Sequence, residues 1–272
     1  MIQKTILDLM KEAAQKAAVV VKENFYIDNE SDEKKSHKDI VTKTDKLSQK
    51  IIHEHIFSGM KELGFDESEI GFIEEESSDD LVKKHTFIID PIDGTSNFSA
   101  SIPHVCISIG YAKDKEMIAG VVLNPLSGDL YFGEKGKGSF LENEALGKEK
   151  LIIKQKPISS WMVASHFNRL DVLDQQLATY KKLYPEVRGL RNMGSLTLDI
   201  CFVAQGPINV VFNNGAYFWD LAAAKVILEE AGGKIYDGNG NELEFDWQET
   251  KKGYETVTCY SGDKEKIFEF LK

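Results

Sequence analysis

Three cysteines in 272 residues are too few, and too widely spaced, for a disulfide framework. Cys106, Cys201 and Cys259 each stand among apolar or small neighbours rather than at metal-ligand spacing, which predicts reduced, buried thiols in a cytoplasmic protein. Basic residues are also short: 33 Lys plus Arg against 44 Asp plus Glu leave a formal net charge of -11. A surface that binds a nucleic-acid backbone needs the opposite balance. No stretch approaches the roughly 20 consecutive apolar residues of a membrane span. Lys4, Asp8, Lys11, Glu12 and Lys16 interrupt the first apolar segment, so it does not read as a targeting sequence. With 21 Gly and 6 Pro the chain lacks the composition of a fibre or a disordered segment. What it has is 42% hydrophobic residues, and a chain of this length folds to about 12,000 Å² of surface, burying roughly 70% of what it exposes unfolded.

Ile2, Ile6, Leu9, Met10, Ala13, Ala17, Val20 and Val21 recur at steps of three and four, which predicts an opening helix. Residues 27–39 are charged and non-periodic and read as an exposed loop. A second helix starts at Thr44 or Asp45, with Thr44 as its cap, and carries His53 and His55 without chemistry of their own. Short apolar runs at 71–76, 86–90, 105–112 and 117–125 read as strands and 129–146 as a hairpin. LIIK and WMVAS follow, then helices from about Asp171 to Tyr184 and about Ser195 to Gln205, the strand INVVFN, the helix DLAAAKVILEEAGG, and the strands GKIYD and VTCYS. This mixture predicts a layered α/β (α+β) fold rather than a barrel. Residues 1–146 form an N-terminal half and 147–272 a C-terminal half of one continuous unit.

The run Phe87, Ile88, Ile89 leads into Asp90, Pro91, Ile92, Asp93, Gly94 and Thr95. Asp90 sits where a buried strand leaves the core. Pro91 fixes its own backbone and keeps Asp90 extended, and Gly94 permits a positive-φ turn. Two carboxylates, a carbonyl and a hydroxyl on one stiff loop suit magnesium, manganese or calcium far better than zinc. An Asp-rich turn after a strand explains the same residue types without any ligand. Glu74, Glu75 and Glu76 end an apolar run 14 to 16 residues earlier, where a neighbouring strand can bring a carboxylate beside Asp90. Asp220, after Trp219, opens a helix and reads equally well as its N-cap.

The motifs EEES at 74–77, DPIDGTSNF at 90–98 and WDLAAAKVILEEAGG at 219–233, with DIVTKTD at 39–45, resemble those of the inositol monophosphatase family, within the superfamily of magnesium-dependent, lithium-sensitive sugar phosphatases. The resemblance covers nearly the whole chain. It implies a five-layer αβαβα sandwich and hydrolysis of inositol monophosphate or a related small sugar phosphate, with no phosphoenzyme. By the family pattern Glu75, Asp90, the Ile92 carbonyl and the Thr95 hydroxyl hold a first magnesium ion, and Asp90, Asp93 and Asp220 a second. Asp45 stands at a third, weaker site, and Glu76 acts through water. Thr95 and Glu75 orient the attacking water and take its proton, with Asp93 as a further catalytic carboxylate. The N–H groups of Gly94 and Thr95 hold the phosphate.

Substrate hydroxyls, by the same pattern, meet Ser165, Gly194, Ser195, Asn213 and Asp220. Asn213 departs from the acidic residue expected there. The resemblance also implies manganese as a substitute ion, inhibition by calcium and lithium, and a homodimer. Fructose 1,6-bisphosphate, nucleotide 3',5'-bisphosphate and histidinol phosphate are alternative substrates, for which Arg188 and Arg191 can supply a second phosphate site. A non-catalytic metal- or phosphate-binding protein is the alternative of another class. Two carboxylates about 5 Å apart repel by roughly 3 kcal/mol at an effective dielectric of 20, so no anionic ester enters such a site without cations.

GEKGKG at 133–138 precedes a strand-like segment rather than a helix and reads as a hairpin turn, not a phosphate loop. Lys34, Lys35 and Lys38 fall near a loop lysine that, in the family, assists a water at the metal. His104, after Pro103, reads as a packed histidine.

Overall fold

A computed structural model of the chain describes residues 4–27, 31–36, 39–77, 80–166 and 171–271. Its accessible surface is 12926 Å², close to the area expected for its size. Helix α1 (Ile6–Asn24) is opened by a capping box between Thr5 and Asp8 and buries Leu9, Met10, Ala13, Ala14, Ala17 and Val21. Where it is described, the charged segment after it is not all loop: β1 (Ser31–Ser36) and β2 (Asp39–Thr42) pair as an antiparallel ribbon, while residues 28–30 and 37–38 of the expected loop lie outside the described residues. Each strand pairs one edge of its backbone with the other and leaves the opposite edge unpaired within the ribbon, so the pairing imposes no apolar period. Helix α2 (Lys43–Glu62) starts ahead of Thr44; its cap is Thr42, in a capping box with Asp45.

The first sheet holds β3 (Ile70–Glu74), β4 (His85–Asp93), β5 (Cys106–Lys113), β6 (Glu116–Leu123), β7 (Leu130–Glu134), β8 (Gly138–Asn143) and β9 (Gly147–Lys150), neighbours in that order. β3 runs parallel to β4, and every later pairing is antiparallel. The short helix α3 (Thr95–Ser99) follows β4. β9 carries the first sheet to Lys150, just past the division at 146. LIIK then runs on as irregular chain, with Leu151 N–H donating to Ser139 O at 2.9 Å.

The second half supplies β10 (Met162–His166), α4 (Leu173–Leu183), β11 (Gly189–Arg191), α5 (Leu196–Gln205), β12 (Val210–Ala216), α6 (Phe218–Glu230), β13 (Gly233–Asp237), β14 (Tyr254–Tyr260) and α7 (Lys264–Leu271). Its sheet has the order β11-β10-β12-β14-β13. α1 and α2 cover the outer face of the first sheet, α5 and α6 lie between the sheets, and α4 and α7 cover the far face of the second. The result is the five-layer αβαβα sandwich.

Glycines on adjacent strands let α6 approach. A Cβ on Gly120 of β6 would stand 2.1 Å from Ala223 O, and one on Gly110 of β5 2.9 Å from Ala222 Cβ. All three cysteines are buried and free. Among the described residues, no helix is long and apolar enough to cross a membrane.

Candidate metal centre

β4 ends at the boundary between the halves, and its pairing with β5 slips there. Asp90 pairs with Ser108 and Asp93 with Cys106, three steps on one strand against two on the other. Residues three apart on a regular strand point to opposite faces; the extra residue of the bulge turns Asp93 to the side of Asp90. The loop is pinned at several points. Ser48 of α2 donates to Pro91 O at 3.0 Å, and Ile92 N–H donates to Asp90 Oδ1 at 3.0 Å. Thr95 Oγ1 lies 3.1 Å from Ile92 O and 3.2 Å from Asp45 Oδ1, acceptors between which its single proton is shared. Gly94 takes φ 92 and ψ 36, a left-handed conformation that glycine adopts without steric cost.

Asp220 arrives from the other half. It is the third residue of α6, not the N-cap: its Oδ2 accepts the N–H of the cap residue Tyr217 at 2.7 Å. That first turn is tied down by Thr197 Oγ1 on Asp220 O at 2.8 Å and Ser108 Oγ on Trp219 O at 3.4 Å. Asp90, Asp93 and Asp220 each offer a carboxylate oxygen, all within 4.8 Å of one another. The three glutamates diverge. Glu74 Oε1 lies 3.1 Å from His53 Nδ1, Glu75 hydrogen-bonds the Asp90 carboxyl, and Glu76 acts on Asp45 by its charge.

Burial pushes Asp90 well above the usual carboxylate range, and the charges of Glu75, Asp93 and Asp220 push it further. Asp93 is raised by burial too, against the Ser195 hydroxyl and the Thr197 N–H, which pull it down. Burial takes Asp45 up to about 6, opposed by its hydrogen bonds from Thr42 and aided by Glu76. A buried cluster of this kind is stable only with its charge cancelled, by protons or by a cation. Every donor is oxygen: Glu75, Asp90, Asp93, Asp220 and the Ile92 carbonyl fit a hard divalent cation.

Asp93 Oδ2 accepts from Ser195 Oγ at 2.6 Å and Thr197 N–H at 2.8 Å. The buried Cys106 thiol stands 3.8 Å from the same oxygen. Gly94 and Gly194 meet where the halves touch, a Cβ on Gly94 falling 3.3 Å from Gly194 O. Asn97 Nδ2 bridges them, donating to His104 O at 2.8 Å and Met193 O at 2.7 Å. Gly194 and Ser195 are thus brought to the carboxylates.

Ser165 is not. It pairs in register with Phe212, which packs on the α4 and α7 side, and with Tyr180 it lines a cavity of about 130 Å³. Asn213 is buried on the opposite face, beside His166. Arg188 and Arg191 are exposed around the edge strand β11. Lys38 and the side chains of Lys34 and Lys35 lie outside the described residues.

GEKGKG forms the β7–β8 turn, where the N–H groups of Gly136 and Gly138 hold the Glu230 carboxylate at 2.8 and 2.7 Å. His104 is more than packed. Its Nε2 lies 2.8 Å from Asp199 Oδ1, and His166 Nε2 lies 3.0 Å from Asp199 Oδ2. The available signal is one Asp as the single charged residue of the segment LTLDICFVA; Asn97 and Thr197 carry none.

Two sheets interleaved with three helical layers, closing on an all-oxygen cluster at their boundary, define a layered α/β protein built around a divalent-cation centre. The chain belongs to the inositol monophosphatase family, whose sequence model matches residues 2–266. It is 34% identical over 250 residues to inositol monophosphatase 3 of Solanum lycopersicum, covering 88% of each chain. It is similar to the solved structure of the extragenic suppressor protein suhB from Bartonella henselae, with a TM-score of 0.85, 26% identity and 99% of both chains covered. A further neighbour is an IMPase/NADP phosphatase complexed with Mg²⁺ and phosphate, with a TM-score of 0.80 and 21% identity, covering 97% of this chain and 94% of that one.

Proposed function

We propose that the chain is a magnesium-dependent phosphomonoesterase that releases phosphate from inositol monophosphate. The observation that carries this reading is the convergence of Asp90, Asp93 and Asp220 from both halves to within 4.8 Å, in a member of this family. Magnesium bound there would supply the positive charge that draws in a phosphate dianion and makes a nearby water more acidic.

Glu75, Asp90, Ile92 O and Thr95 would hold one ion, and Asp90, Asp93 and Asp220 another. Asp45, joined to Thr95, suits a third and weaker one, with Glu76 acting through water. Thr95 and Glu75 orient the attacking water and take its proton. The Thr95 proton is shared between Ile92 O and Asp45, so its lone pairs remain for that water. The N–H groups of Gly94 and Thr95 steady the phosphate. Gly194, Ser195, Asn213 and Asp220 form the wall for the sugar hydroxyls; Ser165, on the α4 side, has no part in it. Manganese would replace magnesium, calcium and lithium would inhibit, and the working form would be a cytoplasmic homodimer.

The test is phosphate release from inositol 1-phosphate, fructose 1,6-bisphosphate, histidinol phosphate and adenosine 3',5'-bisphosphate, with magnesium, with EDTA, and with lithium added. The expected result is release from inositol 1-phosphate that needs magnesium and falls with lithium. Preference for a bisphosphate would move the substrate to the alternatives, and no release from any compound would leave a binding protein.

A further inference from the structure

Asp199 is the single charged residue of α5, near its start, and it is fully buried. A carboxylate in that position persists only where donors replace its lost water. His104 and His166 are those donors, one on each oxygen, at 2.8 and 3.0 Å. A carboxylate oxygen accepts from a ring that carries its proton on Nε2, the nitrogen each histidine presents.

The two histidines come from opposite halves, and each is anchored. His104 lies between α3 and β5, and its carbonyl accepts Asn97 Nδ2 and would stand 3.0 Å from a Cβ on Gly94. His166 ends β10, and its carbonyl accepts Gln176 Nε2 of α4 at 3.1 Å. Asp199 therefore fastens α5 to the DPIDGT loop on one side and to the second sheet on the other.

What the start of α5 delivers is the pair of hydrogen bonds on Asp93 Oδ2, from Ser195 and Thr197. Asp199 is continuous with that turn: its own N–H donates to Ser195 O at 3.1 Å. Asp93 lies more than 100 residues from both donors in sequence, so their aim depends on how α5 is set against the loop. Apolar packing alone would bury the same surface without fixing that setting, whereas two directional bonds to one carboxylate fix it.

We propose that His104, Asp199 and His166 form a positioning unit that aims Ser195 and Thr197 at Asp93 and thereby sets its affinity for magnesium. The proposal rests on the carboxylate cluster being a magnesium centre, as argued above. Loosening the unit weakens ion binding more than it weakens substrate binding.

The test compares Asp199→Asn, His104→Gln, His104→Leu, His166→Gln and His166→Leu with the unaltered full chain. Magnesium binding is measured by titration calorimetry without substrate, alongside kcat, KM for inositol 1-phosphate at saturating magnesium, and melting temperature in EDTA. Asp199→Asn is expected to weaken magnesium binding about tenfold, as loss of a partner that orients a ligand does, and to lower kcat while KM changes little. Each Gln variant keeps an N–H donor and should recover most of what its Leu counterpart loses, a rescue that a purely structural role would not produce.

Folded variants with unaltered magnesium affinity, or Gln and Leu variants that behave alike, would overturn the proposal. Should Asp199→Asn fail to fold, the histidine pairs decide the matter by themselves. An unaltered protein that binds magnesium but hydrolyses nothing would overturn the proposed activity alone, and the calorimetry would still decide the positioning unit.

Discussion

Ser195 Oγ lies 2.6 Å from Asp93 Oδ2, joining residues 102 apart in the sequence across the boundary between the two halves. The bond is charge-assisted, and such bonds contribute about 1.5–3 kcal/mol. Ser195→Ala leaves Asp93 with the Thr197 N–H, so its carboxylate is less well aimed rather than released. Turnover should fall about ten- to hundredfold with the fold intact. Steady-state kinetics on inositol 1-phosphate at saturating magnesium checks this, and an unchanged kcat would separate Ser195 from the orientation of Asp93.

Asp90 carries the sharpest conflict between stability and function. It is buried, and Glu75, Asp93 and Asp220 all oppose its charge. Asparagine has nearly the same shape and stays neutral. Asp90→Asn should abolish turnover, since the residue serves both proposed ions, and should stabilise the metal-free protein by about 1–3 kcal/mol near neutral pH. Asp93→Asn should likewise lose turnover and keep the fold. Urea unfolding in EDTA reads the first effect; a less stable Asp90→Asn protein would show that repulsion is not what Asp90 contributes.

The loop around these residues was legible because its grammar is local: an apolar run, a proline that stiffens, a glycine that turns. The layer order followed from the resemblance and the alternation of elements. The β1–β2 ribbon was hidden by its charge, since its pairing leaves no period to read. The cap of α2 stands two residues ahead of Thr44: Thr42 has Asp45 three positions on, the spacing of a capping box, whereas Thr44 has Leu47 there. The sequence leaves Asp220 open between helix cap and metal ligand, because nothing local shows that Tyr217 takes the cap position. The histidine pair on Asp199 lies 95 and 33 residues away along the chain, a closure that only the folded layers produce.

Acid should favour the metal-free protein. Asp45 is pushed up to about 6 and Asp90 is also raised, against 3.8 for an ordinary aspartate carboxyl. Folded protein then binds more protons than unfolded chain above about pH 4, so the stability these groups contribute is complete below about pH 4 and is lost as pH rises through about 6 and beyond. Magnesium should restore it, raising the melting temperature more at about pH 8 than at about pH 5, and its binding should release protons. Titration calorimetry in buffers of different ionisation enthalpy checks the release; heats that do not vary with buffer would mean the carboxylates were already ionised.

The setting of Asp220 depends on how closely α6 lies on the first sheet, and glycine decides that distance. A methyl on Gly120 would fall 2.1 Å from the backbone oxygen of Ala223, which has no flexible end to swing away. Either the strand or the helix must move, and overpacking of this kind costs about 1–3 kcal/mol. Because Asp220 stands one turn before Ala223 on the same helix, the shift reaches the carboxylate cluster as well as the core. Gly120→Ala should therefore lower both stability and magnesium affinity. Gly238→Ala, whose nearest contact would be the end of the Glu255 side chain at 3.3 Å, should leave magnesium affinity alone. Thermal unfolding and magnesium titration of the two variants separate the effects: a Gly120→Ala protein that loses stability but binds magnesium normally would show that α6 yields at its far end and keeps its first turn in place.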